Sequence, residues 1–312
     1  MSAPVSAFSP QTGVPLQLAP DLQLILAPNP SPMTYLGTNT YLVGHDDLMV
    51  IDPGPDDPAH LAALISAIGG RNVTHILITH SHLDHTPLAR PLAQRVDAPI
   101  CAFGDSRAGR SAVMQDLAIA GLAGGGEGVD MAFRPDVILT DGAVIDNEAL
   151  RLTAIHTPGH MGNHLCFVRD NTVFTGDHVM GWSSSLVSPP DGDLTDFMAS
   201  CHKLSAITAK RYYPGHGAPI DDPKGRLTWL IGHRQQREVQ IVAALGAGPL
   251  DVGELTRAVY ADLAPGLLIA AERNIFAHLV DLVARGIVAA VPELRLTARF
   301  QQVGDLETSN LL

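Results

Sequence analysis

Residues 73–79 (VTHILIT) form an apolar run, and the next six residues, 80–85, read HSHLDH. A short apolar run bounded by polar residues predicts a buried strand. Three imidazoles and the Asp84 carboxylate in one loop would each need a buried partner if they were packed in a core. Imidazole nitrogens suit Zn, Fe and Ni, and a carboxylate adds an oxygen ligand. The pattern therefore predicts a strand that ends in a metal-binding loop.

The segments around this loop alternate between strands and helices. Residues 48–52 are an apolar run that ends at a Pro-Gly turn, and Asp57 with Pro58 begins a predicted helix that Gly69 ends. This rhythm predicts a layered α/β domain. Further strands are predicted at residues 22–27, 40–43, 99–103, 137–139, 150–156, 164–168, 172–175 and 211–213, and a helix at residues 195–207. We predict that residues 1–37 are otherwise a loose arm and that residues 121–128 (GLAGGGEG) are a flexible surface loop.

Three further candidate ligands follow predicted strands, and a glycine stands beside each one. His160 ends the sequence TPGH, Asp177 lies in TGDH, and His216 lies in PGHG. Glycine permits the tight turn that directs a neighbouring side chain into a cleft. Because the HSHLDH loop supplies at most four ligands, these residues are candidates to complete a site for two ions.

The chain changes character after residue 222. Helices are predicted from residue 227 to about 245, at 251–260 and at 264–280, and two short β-prone runs occur in residues 286–298. Three helices followed by a hairpin resemble a winged-helix module. We therefore predict two domains, residues 1–222 and residues 223–312.

Composition restricts the partners and the compartment. Hydrophobic residues make up 46% of the chain, enough for a core, and the net charge of −12 opposes broad binding to a polyanion. The sequence contains no apolar run long enough to span a membrane and no secretory signal. The three cysteines, Cys101, Cys166 and Cys201, are widely spaced and favour buried free thiols. These features predict a cytoplasmic protein without membrane partners.

In this order, the motifs HxHxDH, TPGH, TGD and PGHG resemble the metallo-β-lactamase superfamily over about residues 20–220. The resemblance implies an α/β fold, a four-layer αββα sandwich with the metal ions at one edge. It implies two divalent cations, with Zn preferred and Fe or Mn as alternatives. The implied ligands are His80, His82 and His160 for the first ion, Asp84, His85 and His216 for the second, and Asp177 as the bridge.

The chemistry that the resemblance implies is hydrolysis. Two divalent ions about 3.5–4 Å apart lower the pKa of a shared water and hold a hydroxide at neutral pH. Asp84 is implied to be catalytic, orienting that water or moving its proton, besides binding metal. Asp52, which ends a predicted strand, is a candidate acceptor from a ligand imidazole, with turn capping as the alternative. His178, Trp182 and Ser183 are candidates to line the substrate cleft, although a tryptophan that only packs is equally consistent.

The C-terminal module indicates which branch of the superfamily the chain resembles. His233-Arg234, Glu254-Leu255, Asn274 and the turn at Gly286 resemble the winged helix of the beta-lactamase-like protein 2 group. That group includes single-strand endoribonucleases. A winged helix can bind nucleic acid through its third helix and wing, or it can form a cleft wall or a homodimer surface. Arginines and acids are mixed in this region, so its support for RNA binding is weak.

The leading prediction is an enzyme that hydrolyses an ester, a thioester or a related small molecule. The alternative is a single-strand-specific endoribonuclease whose partner is single-stranded RNA. A metal-bearing DNA-binding regulator and an iron-dependent oxidative enzyme are two further hypotheses.

Overall fold

The computed structural model describes residues 8–124, 128–147, 149–261 and 265–303, so part of the predicted glycine-rich loop, residues 125–127, lies outside the described residues. The strands are β1 (Leu16–Ala19), β2 (Leu22–Leu26), β3 (Asn39–Gly44), β4 (Asp47–Ile51), β5 (Asn72–Leu77), β6 (Ile100–Ala102), β7 (Val137–Ile138), β8 (Val144–Asp146), β9 (Arg151–His156), β10 (Leu165–Arg169), β11 (Thr172–Gly176), β12 (Arg211–Pro214), β13 (Leu250–Asp251), β14 (Val288–Val291) and β15 (Arg299–Gln302). The helices are α1 (Pro58–Ile68), α2 (Ala89–Val96), α3 (Ala112–Ile119), α4 (Leu194–Ser205), α5 (Pro223–Leu245), α6 (Val252–Val259) and α7 (Leu268–Ala284), the last preceded by a 3-10 turn at Pro265–Leu267.

Seven strands form the first sheet, in the order β1-β2-β3-β4-β5-β6-β7. Successive side chains of a strand point to opposite faces, and both faces of this sheet are apolar. Leu24, Tyr41 and Met49 face the second sheet, whereas Ile25 and Val50 face α1 and α2. The predicted helix is confirmed as α1, with Asp57 capping its start and Gly69 ending it at φ 62°.

Five strands form the second sheet, in the order β12-β11-β10-β9-β8. Phe167 and Phe174 face the first sheet, whereas Val173 and Tyr212 pack against α4 and α5. The layers are therefore α1 and α2, the first sheet, the second sheet, and α4 with α5. The predicted αββα sandwich is confirmed.

The C-terminal helices surround a core of their own, closed by a third sheet in the order β13-β15-β14. Phe276 of α7 packs edge-on against Phe300 of β15. Met114 and Leu117 of α3 also contribute to this core, so the N-terminal part of the chain packs into the C-terminal module. The predicted winged-helix architecture is confirmed.

Several expectations from sequence were wrong. The strand predicted at residues 22–27 is confirmed as β2, but the segment around it is not a loose arm as far as it is described, because β1 pairs with β2 in the first sheet. Sequence analysis missed β1, β8, β13 and α3. The second strand of the C-terminal hairpin, β15, begins after the predicted range of 286–298.

None of the described helices is both long and apolar enough to cross a lipid bilayer. All three cysteines are buried and free, as predicted.

Candidate metal centre

The candidate ligands lie in loops that follow the carboxyl ends of strands from both sheets. The loop 80–85 follows β5, His160 follows β9, Asp177 follows β11, and His216 follows β12. These ends converge at one edge of the sandwich. All seven predicted metal ligands are buried there.

Three histidines form a first cluster, which we call the first trio: His80, His82 and His160. His82 Nδ1 lies 2.9 Å from His80 Nε2 and 3.1 Å from His160 Nε2. Burial, with repulsion from His160, lowers the pKa of His82 to about 3. Burial also lowers the pKa of His80 and of His160, so the three imidazoles are neutral at pH 7, the form that binds metal.

The second trio consists of Asp84, His85 and His216. Asp84 Oδ2 lies 3.1 Å from His216 Nε2 and 3.3 Å from His85 Nε2. Burial on its own would raise the pKa of Asp84, but His85 and His216 outweigh it and hold that pKa well below the usual value. Asp84 is therefore ionised. Burial lowers the pKa of His216, but the carboxylates of Asp177 and Asp84 outweigh burial and raise this pKa to about 10. A cation would compete with the proton for the same nitrogen.

Asp177 lies between the two trios. Its Oδ2 is 3.7 Å from His160 Nε2 and 3.2 Å from His216 Nε2, and its Oδ1 is 3.6 Å from His85 Nε2. The carboxylate is therefore within reach of ligands from both trios. This is the position that a bridging ligand requires.

The residues fit two divalent cations. Within each trio, one ligand atom per residue lies within 4.8 Å of the others. Two buried atoms that face the centre, His85 Nε2 and Asp177 Oδ1, have no hydrogen-bond partner among the described residues. Nitrogen and carboxylate donors converging in this way suit Zn, Fe or Mn.

Asp52 supports the second trio from behind. Its carboxylate accepts hydrogen bonds from the backbone N–H of Thr79 at 2.8 Å, the Thr79 hydroxyl at 2.7 Å and His85 Nδ1 at 2.9 Å. These three donors fix the carboxylate, and Asp52 itself adopts φ 51°. With Nδ1 as donor, His85 presents a lone pair on Nε2 to the centre.

Backbone carbonyls orient two more ligands. His160 Nδ1 donates to the carbonyl of Leu186 at 2.7 Å, and His216 Nδ1 to that of Gly37 at 3.1 Å. Each contact leaves Nε2 facing the centre.

Sequence analysis missed two residues that support the centre. Sequence analysis assigned His164 no specific role, yet its Nε2 lies 3.2 Å from the backbone N of Asp177 and its ring stacks on His80. The Thr38 hydroxyl donates to Asp84 Oδ2 at 3.2 Å. The position of His164 just before β10 and close to TPGH could have indicated its role, whereas no local signal marked Thr38.

Of the three residues predicted to line the substrate cleft, the structure places two beside a cavity and one elsewhere. His178 does not line the cleft, because it is fully buried against Phe197 and its Nε2 lies 3.5 Å from Cys201 Sγ. Its side chain points away from the centre even though it follows Asp177. Trp182 and Ser183 line a cavity between the sandwich and the C-terminal helices.

Comparisons with known proteins agree with this architecture. A family model described as the metallo-beta-lactamase superfamily matches residues 33–216, and the model of a beta-lactamase-associated winged helix domain matches residues 252–295. The chain is 31% identical over 275 residues to the beta-lactamase-like protein 2 homolog of Drosophila melanogaster, a match that covers 84% of this chain and 87% of that protein. It is 32% identical over 257 residues to an atrochrysone carboxyl ACP thioesterase of Paecilomyces divaricatus, covering 79% of this chain and 71% of that protein.

Solved structures share the fold along nearly the whole chain. A metallo-beta-lactamase family protein from Thermus thermophilus superposes with a TM-score of 0.74 at 25% identity, over 92% of this chain and 100% of that one. A beta-lactamase domain protein from Burkholderia ambifaria superposes with a TM-score of 0.78 at 20% identity, over 96% of each chain.

Proposed function

Because the chain belongs to the metallo-β-lactamase superfamily of hydrolases, we propose that its buried His/Asp centre hydrolyses the thioester of a small molecule. Members of this superfamily bind two divalent cations. The observation that carries the proposal is the pair of ligand trios with Asp177 between them. The thioester is favoured among ester-like substrates because relatives at about 30% identity are named as thioesterases.

The geometry of the centre supports our assignment of the ligand roles. We assign the first trio to one cation, the second trio to the other, and Asp177 to both. Bound there, two cations would lower the pKa of a water and polarise the acyl carbonyl. Zn is our first choice, with Fe or Mn as alternatives, because the donor set suits all three.

Asp84 is the catalytic residue that we propose for the attacking water. Its charge is held by His85 and His216, and the Thr38 hydroxyl fixes one face of Oδ2. The ionised carboxylate accepts a hydrogen bond from the water and so orients the water oxygen toward the acyl carbon. The oxygen bonds to that carbon, the C–S bond breaks, and the thiolate sulfur takes up the proton that the water releases.

The packing of the C-terminal module supports a cleft wall over an RNA-binding surface. In α7, the helix that would enter a groove, Asn274 Oδ1 accepts from the backbone N of Val187, and Asp281 Oδ1 accepts from the Thr195 hydroxyl at 2.6 Å. This helix is packed on the sandwich. Four arginines of this module are engaged within the protein: Arg273 with backbone carbonyls, Arg285 with Glu238 and Asp281, Arg295 with Glu293, and Arg299 with Glu254.

The test combines metal analysis with two substrates. We expect about two divalent ions per chain, turnover of an acetyl thioester, and no cleavage of a labelled single-stranded RNA. Asp84→Asn should remove the thioester turnover. RNA cleavage that disappears in Asp84→Asn, without thioester turnover, would replace this proposal by the endoribonuclease alternative.

Three further predictions remain as proposals. We place the domain boundary near residue 222, at the start of α5, because the first half of this helix (Leu227, Leu230) packs on the sandwich and its second half (Ile241, Leu245) lies in the C-terminal core. The cytoplasmic location is supported by the three buried free thiols. The homodimer stays a prediction that analytical ultracentrifugation tests.

A further inference from the structure

A cavity of about 250 Å³ lies where the sandwich meets the C-terminal helices. The loop 180–186 and α7 form two of its walls, and the segment at Met33 forms another. Its lining is largely apolar and includes Met33, Met180, Trp182, Leu186, Ala270 and Ala271.

The cavity shares a wall with the metal centre. Leu186, which lines the cavity, holds His160 through its carbonyl at 2.7 Å. Trp182 packs on Gly217, the residue after His216, so closely that a Cβ at Gly217 would lie 2.8 Å from Trp182 Cδ1. A group in the cavity is therefore one side chain away from ligands of both trios.

Two arginines of α5 hold this wall in place. Arg226 Nε donates to the Met180 carbonyl at 2.6 Å, and Arg226 Nη2 donates to the Ser183 carbonyl. Arg234 donates to the Ser185 carbonyl. The loop is therefore fixed before any substrate arrives, which lowers the entropy cost of binding.

The chemistry of the lining selects an uncharged, aromatic-sized group. Among the described lining residues there is no carboxylate, ammonium or guanidinium. His233 stacks on Trp229 at 5.0 Å, and burial lowers its pKa to about 4, so it is neutral at pH 7. The Met33 and Met180 thioethers and the Trp182 indole suit the faces and edges of an aromatic ring.

The volume sets the size of that group. An apolar cavity of about 150 Å³ holds one benzene, so this cavity has room for one ring and a short linker. The buried Trp182 Nε1 has no hydrogen-bond partner among the described residues, and the indole edge that carries it faces Gly217. The wall formed by Trp182 and Leu186 is therefore the side of the cavity that adjoins the metal centre.

We propose that this cavity binds the acyl group of the substrate, and that this group is a single-ring arylacyl of phenylacetyl size with its thioester directed toward the metal centre. The inference rests on the proposed thioester hydrolysis. In this role Ala270 and Ala271 of α7 limit the size of the acyl group, so the winged-helix module contributes to substrate specificity.

The kinetic test compares phenylacetyl and acetyl thioesters of N-acetylcysteamine. Ala270 is a half-buried lining residue, so Ala270→Phe fills the cavity, whereas Ala199→Phe places the same side chain on the exposed face of α4 as a control. We expect Ala270→Phe to raise KM for the phenylacetyl thioester at least tenfold more than KM for the acetyl thioester, and the Ala199→Phe control to leave both KM values within twofold. Equal effects on the two thioesters, or no effect, would overturn the cavity proposal while leaving the hydrolysis intact.

A binding test separates the two proposals and does not need turnover. The chain has two tryptophans, so Trp229→Phe leaves Trp182 as the single tryptophan, whose emission can be excited selectively over that of the tyrosines. We expect saturable quenching of this variant by N-ethylphenylacetamide, a non-hydrolysable probe, and at least tenfold weaker binding when Ala270→Phe is added. If neither thioester is hydrolysed but this pattern appears, the hydrolysis proposal fails and the arylacyl site stands. If quenching is absent or does not depend on Ala270, the site is wrong.

Discussion

Asp52 Oδ2 lies 2.9 Å from Nδ1 of His85, on the side of the imidazole opposite the metal centre. Asp52→Asn keeps the size of the side chain but can place an amide N–H against Nδ1, which favours the tautomer with its proton on Nε2. We expect a loss of about 10- to 100-fold in metal affinity or hydrolysis. Metal titration and thioester turnover measure it, and Asp46→Asn at an exposed position is the control. Unchanged affinity and turnover would assign Asp52 to turn capping alone.

Removing the charge at Asp177 tests the bridging role. Because this carboxylate faces both trios, Asp177→Asn should lose at least one ion per chain and nearly all turnover. Metal content by elemental analysis is the measurement. The control Asp170→Asn, in the exposed turn between β10 and β11, should retain two ions per chain and full turnover. A variant of Asp177 with two ions and full activity would show that the bridge is wrong.

Gly159 places His160 by letting its loop lie directly on α4. Gly159 has φ 136°, and a Cβ there would lie 2.2 Å from Phe197 Cα, so Gly159→Ala must displace backbone. Gly142→Ala is the matched control, since Gly142 also has positive φ (79°) but no atom within 4 Å of the added carbon. We expect the control to lose about 1 kcal/mol of unfolding free energy and Gly159→Ala to lose more, together with metal. Urea unfolding measures the free energy and elemental analysis measures the metal content. Equal losses in Gly142→Ala and Gly159→Ala would contradict the predicted clash.

Because His60 is buried, we expect the protein to lose unfolding free energy in acid. His60 Nε2 lies 3.0 Å from the Thr40 hydroxyl, and burial lowers the pKa of His60 to about 4. The unfolded chain takes up this proton near pH 6.5, so the stability that neutral His60 contributes is complete above about pH 6.5 and falls as the pH drops toward 4, by up to about 3 kcal/mol.

His60→Gln can keep the donor to Thr40 and cannot titrate. Urea unfolding at about pH 7.5 and pH 5 should therefore show a smaller loss of stability on acidification in this variant than in the wild type. His45→Gln, at an exposed position, should behave as the wild type does. The same loss in all three proteins would exclude His60 as the source.

Most residues of the metal centre could be predicted because their motifs are short and lie close together in sequence. Three histidines and an aspartate directly after an apolar strand have few explanations other than metal binding, and glycines beside His160 and His216 indicate sharp turns. The expectation for His178 was wrong because sequence adjacency to Asp177 does not determine direction. Its ring turns inward onto Phe197.

Elements whose signal depends on distant partners could not be predicted. The strand β1 is four residues long and lies between prolines, so only its pairing with β2 makes it a strand. The helix α3 follows a loop rich in Gly, Arg and Ser, and its buried face meets the C-terminal core far along the chain. Thr38 precedes β3 and Asp84 follows β5, and the two residues meet because both strands belong to the first sheet, a contact with no local sequence pattern.

The ligands come from both sheets: His80, His82, Asp84 and His85 follow β5 of the first, whereas His160, Asp177 and His216 follow strands of the second. Any cation bound by this set is therefore a cross-link between the two halves of the sandwich. An unfolded chain cannot present ligands so far apart in sequence at one point, so binding favours the native state by mass action. The midpoint of thermal unfolding should then rise with the concentration of free metal, which makes the supply of metal in the cell a determinant of how long each molecule survives.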